Sequence, residues 1–421
     1  MGQISAKFRR PLRRIGNLVR GLGPGLVAGS SDVDPTTVAT ISVAGASTGY
    51  RLSLLTLLIY PMLASVQIIS AQLGVVAKAG LQRVVKDLYG RPWSLILLTS
   101  VLVVNVITVA ADMEAGAAAL ALVVPIDLRW FVVPYALVLA AVLVLGSYES
   151  VVRIFKYVLL IFVAYILSAF LAHPDWGRVL RATLLPSLSP DPRLIQAALA
   201  ILGTTLTAYA YIWETQEEAE EGAPIGRLGH ARMDAGAGML VAVAMFWFIL
   251  ITAGTTLGVH HKQVETAQQA AAALRPIAGP LASYLFAAGL LASSVIAVPV
   301  LASSSAYLLT TELGLPVGLS KKPAQARAFY AAILIMLLIG VIISFAGVAP
   351  IRLLFAASIA GGLGTPIGLI FLLLAARSHR AMQAHRIGGL LTTLGLLTTA
   401  LVTVVSAMFL WQQLGSRLFG H

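Results

Sequence analysis

The sequence predicts an all-α polytopic membrane protein with about eleven transmembrane helices. Of its 421 residues, 58% are hydrophobic and only 11% are charged, whereas soluble domains are roughly 45–50% apolar and about 25% charged. A soluble core of this size would need a charged shell that this composition cannot supply. Long apolar runs also recur along the whole chain, so lipid must be the solvent for much of the surface.

Eleven apolar runs come close to the roughly 20 residues that a membrane-spanning helix needs. They lie near residues 24–48, 53–77, 94–124, 128–147, 154–172, 195–213, 235–259, 277–310, 328–348, 351–376 and 387–412. Eleven spans fit five helices, five more of inverted topology and one extra helix, which is a common plan of transporters. We therefore expect a basic N-terminal arm and one transmembrane domain, with these bounds: arm 1–22, domain 23–421, first repeat about 23–172, second repeat about 195–377, extra helix about 387–414.

The net charge of +12 is explained by the expected topology. About two thirds of the 29 Lys and Arg residues fall in the N-terminal arm and in the loops on the same side of the membrane. The positive-inside rule then predicts a cytoplasmic N-terminus in a plasma (inner) membrane. Nucleic acid is not needed as a partner. The basic start is not followed by a compact apolar core and cleavage site, so we expect no signal peptide.

Carboxylates inside apolar spans are the main functional signal. Asp32, Asp34, Asp112 and Glu114 all lie well inside predicted spans. Each ionised carboxylate at a helix centre costs roughly 2.5–3.5 kcal/mol even on a lenient insertion scale. Such residues are usually functional.

The first span should be interrupted at Asp34-Pro35. Pro35 has no N–H and disfavours the α conformation for Asp34. A break here frees carbonyls near Ser31 and gathers them with the Asp34 carboxylate and the Thr37 hydroxyl. These are the oxygen ligands that hard cations prefer. The alternative is a simple proline kink in which Asp34 caps the second half-helix.

The sixth span is unusually polar, which indicates a second interruption. Its polar positions are Gly203, Thr204, Thr205, Thr207 and Tyr209. The threonines could instead bond back to their own helix. An acidic run at 214–221 follows and is either a solvated helix end or a vestibule that attracts cations.

Four acidic residues are candidates for a proton or ion relay: Asp32, Asp112, Glu114 and Glu214. In the third span, small residues around Asp112 and Glu114 suggest close helix packing. The alternative there is an interhelical hydrogen bond without a transport role.

At this point the motifs resemble those of a known family. Gly23-Pro24-Gly25 and residues 34–37, Asp-Pro-Thr-Thr, are similar to the first helix of the NRAMP divalent-metal transporters, whose signature there is Asp-Pro-Gly-Asn. Residues 67–74 resemble that family's second helix, and residues 201–209 stand where the family carries Met-Pro-His. The resemblance implies a LeuT-type inverted repeat of five plus five helices with broken first and sixth helices.

The resemblance also implies a set of metal ligands. Asp34 would be the metal-binding carboxylate, and the other positions carried over are Thr37, Ser31, Thr204, Thr207 and Tyr209. Thr207 and Tyr209 stand where the family has Met and His, Glu214 replaces its next histidine, and Ala360 replaces a glutamine on the tenth span. A thioether favours transition metals over Mg²⁺. Its replacement by a hydroxyl makes the chain closest in character to the NRAMP-related magnesium transporters.

We therefore expect a secondary transporter of divalent cations, Mg²⁺ and/or Mn²⁺, that works by alternating access through an oxygen-lined site in mid-membrane. The metal is substrate, no cofactor is expected, and the protein is not an enzyme. Its expected partners are the metal, the bilayer and, as a candidate, protons, with a monomer as the expected state. Two alternatives remain open: a Na⁺-coupled amino-acid transporter of the same fold, and an intramembrane aspartyl enzyme that uses Asp32, Asp34 and Asp112.

Overall fold

The structure is a computed structural model that describes residues 24–124, 126–146, 166–167, 169–185, 192–256, 282–348 and 350–418. Secondary structure in these ranges is helical throughout, as the composition predicts. The expected fifth span near 154–172 and the N-terminal arm lie largely or wholly outside the described residues.

Fifteen α-helices are assigned in the described ranges. In chain order they are α1 (Pro24–Asp32), α2 (Pro35–Thr48), α3 (Ser53–Ala77), α4 (Leu81–Tyr89), α5 (Arg91–Val123), α6 (Arg129–Leu145), α7 (Trp176–Leu184), α8 (Pro192–Thr205), α9 (Ala208–Glu221), α10 (Leu228–Thr256), α11 (Ala282–Glu312), α12 (Arg327–Ser344), α13 (Pro350–Arg377), α14 (His379–Met382) and α15 (Gly389–Leu418). Two short 3₁₀ turns, Ile225–Arg227 and Gln383–His385, complete the assignment.

The membrane spans agree with the sequence prediction wherever the chain is described. Eight helical segments among the described residues are long and apolar enough to cross a bilayer, and Arg129–Leu145 is a shorter apolar helix. The first span is also helical but is divided between α1 and α2, so every expected span coincides with helix where it is described. Many of the large apolar side chains on these helices are exposed, as lipid-facing residues are.

The first span is broken at the position that the sequence predicts. α1 ends at Asp32 and α2 begins at Pro35, so residues 33–34 form what we call the first break. Asp34 is extended, with φ −75° and ψ 167°, and its side chain accepts from the backbone N–H of Thr37. Asp34 is therefore the N-cap of α2, and the break and the cap are two aspects of one structure.

The sixth span is also broken, between α8 and α9, at residues 206–207, the second break. Thr207 is extended, with φ −67° and ψ 140°, and its side chain makes no capping bond. No proline opens this helix. Instead the hydroxyl of Thr365 on α13 donates to the carbonyl oxygen of Leu206 at 2.9 Å. A neighbouring helix thus satisfies a backbone group that the break frees.

Glycines let the broken helices lie close to their neighbours. A Cβ on Gly29 of α1 would stand 2.3 Å from the carbonyl oxygen of Gly238 on α10, and one on Gly203 of α8 would stand 2.3 Å from that of Ser358 on α13. Small residues at such crossings are typical of membrane helix bundles. The two close crossings bring both breaks to the middle of the bundle, surrounded by α5, α10, α11 and α13.

Candidate metal site

The Asp34 carboxylate is buried at the first break and is held from two sides. Its Oδ1 accepts from the backbone N–H of Thr37 at 2.6 Å. Its Oδ2 accepts from the hydroxyl of Tyr209 at 3.2 Å. The side chain is fully buried. The positive end of α2 favours the carboxylate through the helix dipole, and this places a negative charge in the centre of the bundle.

Tyr209 connects the two breaks. Besides approaching Asp34, its hydroxyl donates to the carbonyl oxygen of Ser31 at 2.8 Å. The hydroxyl of Ser304 on α11 donates to the backbone carbonyl of Tyr209 at 3.2 Å. Three groups therefore converge on one small volume: the freed carbonyl of Ser31, the Asp34 carboxylate and the Tyr209 hydroxyl. The sequence predicts this for the carbonyl and the carboxylate.

Threonines from both broken helices also line this site. The hydroxyls of Thr37 and Thr204 are 2.9 Å apart, and the Thr37 hydroxyl lies 3.4 Å from the carbonyl oxygen of Thr204. Thr40, one turn further along α2, shares a hydrogen bond of 2.7 Å with Ser358 on α13. All of these side chains are buried. The lining is thus made of carboxylate, hydroxyl and carbonyl oxygens.

Asp112 on α5 lies beside this group. Its Oδ1 accepts from the backbone N–H of Thr36 at 3.1 Å and from the Thr36 hydroxyl at 2.6 Å. Its Oδ2 is buried without a hydrogen-bond partner in the described part of the chain. Tyr135 donates to the hydroxyl of Ser294, which donates to the backbone carbonyl of Asp112, each at 2.7 Å. Asp112 and Asp34 are close enough to repel each other.

Asp32 and Thr207 face each other across the breaks. Asp32 is the last residue of α1 and is 0% exposed. The hydroxyl of Thr207 approaches its carboxylate, but with geometry outside that of a hydrogen bond. None of the ion pairs found among the described residues involves Asp32, Asp34 or Asp112. Three buried carboxylates thus meet here without a Lys or Arg partner.

Glu114 and Glu214 lie away from this group. Glu114 is two residues beyond Asp112 on α5 and interacts with Arg129 at the start of α6. Glu214 is buried further along α9 than Tyr209, among other acids: Glu217, Glu218, Glu221 and Asp234. Their relay roles stay predictions from the sequence, and the structure does not bring them to the first break.

Three hydroxyl residues near the site were not among the residues singled out from the sequence: Thr36, Thr40 and Ser358. Thr36 and Thr40 lie one turn apart on α2 next to the Asp-Pro motif, so helical periodicity could have identified them. Ser358 is two residues from Ala360, where the resemblance placed a glutamine position. Ser358 contacts Thr40 from α13, and no pattern in the sequence indicated this contact.

The chemistry of the site favours a hard cation. Its ligand atoms are oxygens, which Mg²⁺, Ca²⁺ and Mn²⁺ prefer over softer sulfur and imidazole donors. Among the described residues no cluster of three His, Cys, Asp or Glu side chains has a metal-binding arrangement. Any cation held here would therefore be bound by a few carboxylates together with hydroxyls, backbone carbonyls and water.

The chain is similar to known proteins along most of its length. The sequence model of Nramp, described as natural resistance-associated macrophage protein-like, matches residues 25–412. The divalent metal cation transporter MntH of Deinococcus radiodurans is 27% identical over 419 residues, covering 96% of this chain and 92% of the relative. The MntH of Caldanaerobacter subterraneus subsp. tengcongensis is 25% identical over 402 residues, covering 93% and 92%.

Solved structures show the same fold. A manganese transporter mutant of Eremococcus coleocola superposes with a TM-score of 0.74 at 20% identity, covering 94% of this chain and 87% of that one. Mhp1, a nucleobase-cation-symport-1 family transporter, superposes with a TM-score of 0.58 at 14% identity, covering 93% of each chain. Both neighbours have the LeuT fold, so the LeuT-type architecture predicted from the sequence is confirmed.

Proposed function

Because the chain belongs to the natural resistance-associated macrophage protein (Nramp) family, we propose that it is a secondary transporter that carries divalent metal cations across the membrane. Its relatives in the family are named as divalent metal cation transporters. The observation that carries the proposal is the buried Asp34 carboxylate. It lies in the first break with the freed carbonyl of Ser31 and receives no ion pair from the described residues. A cation is the natural counter-charge for such a group.

The substrate that we propose is Mg²⁺, Mn²⁺ or both. Thr207 and Tyr209 occupy the positions where the family carries Met and His, so the oxygen-lined site lacks the soft donor that would favour transition metals over Mg²⁺. Mg²⁺ gives up water reluctantly, and the Thr37, Thr204 and Ser358 hydroxyls suit a cation that keeps part of its hydration shell. Mn²⁺ also accepts oxygen ligands.

We propose that transport proceeds by alternating access. The two breaks allow α1 and α9 to move relative to α2 and α8 while the site stays at mid-membrane. The hydrogen bond from Tyr209 on α9 to Ser31 on α1 would be formed in one state of the transport cycle and broken in the other. Asp112, one of whose buried oxygens has no hydrogen-bond partner within the described ranges, is our candidate proton carrier. We further propose a monomer in the plasma (inner) membrane with a cytoplasmic N-terminus.

Uptake into proteoliposomes tests the proposal. We expect wild-type protein to take up Mg²⁺ or Mn²⁺ and Asp34→Ala to abolish uptake while the protein stays folded. Asp87→Ala is a matched control, because Asp87 is an exposed acid on α4 paired with Arg83, and it should transport normally. If Asp34→Ala transports metal at the wild-type rate, the assignment of Asp34 to the metal site is wrong. Labelled amino acids under a Na⁺ gradient should not accumulate.

A further inference from the structure

Asp32 differs from its neighbour Asp34 in that no donor among the described residues forms a hydrogen bond with its carboxylate. Both carboxylates are 0% exposed. Asp34 accepts from the Thr37 N–H and the Tyr209 hydroxyl. Neither oxygen of Asp32 has a hydrogen-bond partner in the ranges that the structure describes. A buried carboxylate in this condition carries a large desolvation cost.

The surroundings of Asp32 add to that cost. Asp34 is close enough to repel it. Asp32 also ends α1, and the C-terminal end of a helix carries partial negative charge that disfavours an acid. In the part of the chain that the structure describes, the hydroxyl of Thr207 also approaches Asp32, and that hydroxyl itself has no hydrogen-bond partner there. The repulsion from Asp34 and the negative end of α1 therefore disfavour the lone anion and would favour a cation, and the approach of Thr207 offsets them only in part.

Glu312 shows how this chain satisfies a buried carboxylate that has a structural role. It is 5% exposed and accepts from Gln82 Nε2 at 2.9 Å and from the hydroxyl of Ser94 at 2.7 Å. Lys86 and Arg91 add ion pairs at 3.6 Å. Asp32 has none of these features, so a structural role does not account for its burial.

We propose that Asp32 is a second carboxylate ligand of the transported cation, and that Asp32 and Asp34 approach it from the two sides of the first break. The Thr207 hydroxyl would contribute from the second break. This inference rests on the proposed transport function and extends it. A divalent ion offsets the charge of both carboxylate ligands, whereas a monovalent ion would leave one more negative charge uncompensated in a low-dielectric site. The pair would thus select hard divalent cations over Na⁺ and K⁺.

The test uses Asp32→Asn, which keeps the shape and removes the charge, in purified full-length protein. Without metal, we expect the melting temperature to rise, because the repulsion with Asp34 is removed. With Mg²⁺ or Mn²⁺, the stabilisation seen in wild type should shrink, and the affinity measured by calorimetry should fall at least tenfold. Asp32→Ser is a second variant should the amide fold poorly.

Glu312→Gln is the matched control and should give the opposite pattern. It should lower the melting temperature without metal and leave the metal-induced shift unchanged. If Asp32→Asn behaves in the same way, or binds metal with wild-type affinity, Asp32 is not a ligand and the inference is overturned. Loss of binding in Asp34→Ala would then still support the transport site. If wild-type protein binds neither metal, the proposed function itself fails.

Discussion

The hydroxyl of Tyr209 donates to the carbonyl oxygen of Ser31 at 2.8 Å, which ties the first turn of α9 to the last turn of α1. These two half-helices belong to the first and sixth spans. Any path that opens between them must first break this bond. Because the same hydroxyl approaches Asp34, the contact that joins the half-helices also involves the proposed metal ligand.

Tyr209→Phe tests this relationship. The variant leaves the Ser31 carbonyl and one Asp34 oxygen without their donor, so we expect metal-free protein to lose about 1–3 kcal/mol of stability. Added Mg²⁺ should recover part of the loss by occupying the same oxygens. Thermal unfolding in detergent measures both effects. Tyr330→Phe, which removes a bond to the Lys321 carbonyl, should destabilise without any recovery by metal.

Thr207→Met should change the metal preference. The Thr207 hydroxyl has no partner in the described ranges, so its loss costs little, whereas a thioether adds a soft donor. We expect Cd²⁺ affinity to rise on the order of tenfold, about 1.4 kcal/mol, and Mg²⁺ affinity to fall. Thr207→Leu has similar bulk without sulfur and should lower Mg²⁺ affinity with no gain for Cd²⁺. Equal Cd²⁺ affinities in the two variants would contradict the assignment of Thr207.

Asp112→Asn separates charge from hydrogen bonding. The amide oxygen can still accept from the N–H and hydroxyl of Thr36, so the fold should persist. We expect divalent affinity to fall on the order of tenfold as one nearby negative charge is lost. Proton entry that accompanies metal uptake, followed with a pH-sensitive dye in liposomes, should cease. If the variant gives the same proton signal as wild type, or if wild type gives none, Asp112 is not a proton carrier.

Gly29→Ala should destabilise the bundle. The new Cβ would lie 2.3 Å from the Gly238 carbonyl oxygen, and backbone cannot move aside as a flexible side chain can. We expect a cost of about 1–3 kcal/mol and a lower uptake rate, measured by thermal unfolding and proteoliposome flux. Gly229→Ala is the control, because a Cβ there meets nothing within 4 Å. Similar melting temperatures for the two variants would refute the close crossing of α1 and α10.

Local chemistry made the first break predictable. Much of the remaining site depends on contacts between residues that are far apart in the sequence. Asp34-Pro35 determines both the end of one helix and the cap of the next within a few residues. The second break has no proline and depends on Thr365, which lies 159 residues from the Leu206 carbonyl that it bonds. The polarity of the sixth span indicated an interruption, and the family resemblance supported it. The approach of Thr36 to Asp112 across 76 residues also requires the packed bundle.

The tenth span shows what helix packing adds to the sequence. Ala360 and Ser358 are two residues apart, so they point in directions about 200° apart on an α-helix. The resemblance located the helix, but only the packing of α13 against α2 identifies Ser358 as the residue bonded to Thr40. Composition and span spacing, in contrast, predicted the helical membrane class correctly, because they depend on the bilayer rather than on any one contact.

The central claim is that a divalent cation binds at the first break, against Asp34. Anomalous scattering from Mn²⁺ in crystals of the purified protein tests it most directly. We expect a single strong peak about 2.0–2.6 Å from oxygens of Asp34 and of residues at the two breaks, and its loss in Asp34→Ala. A peak confined to the acids around Glu214, or one that persists in Asp34→Ala, would contradict the account.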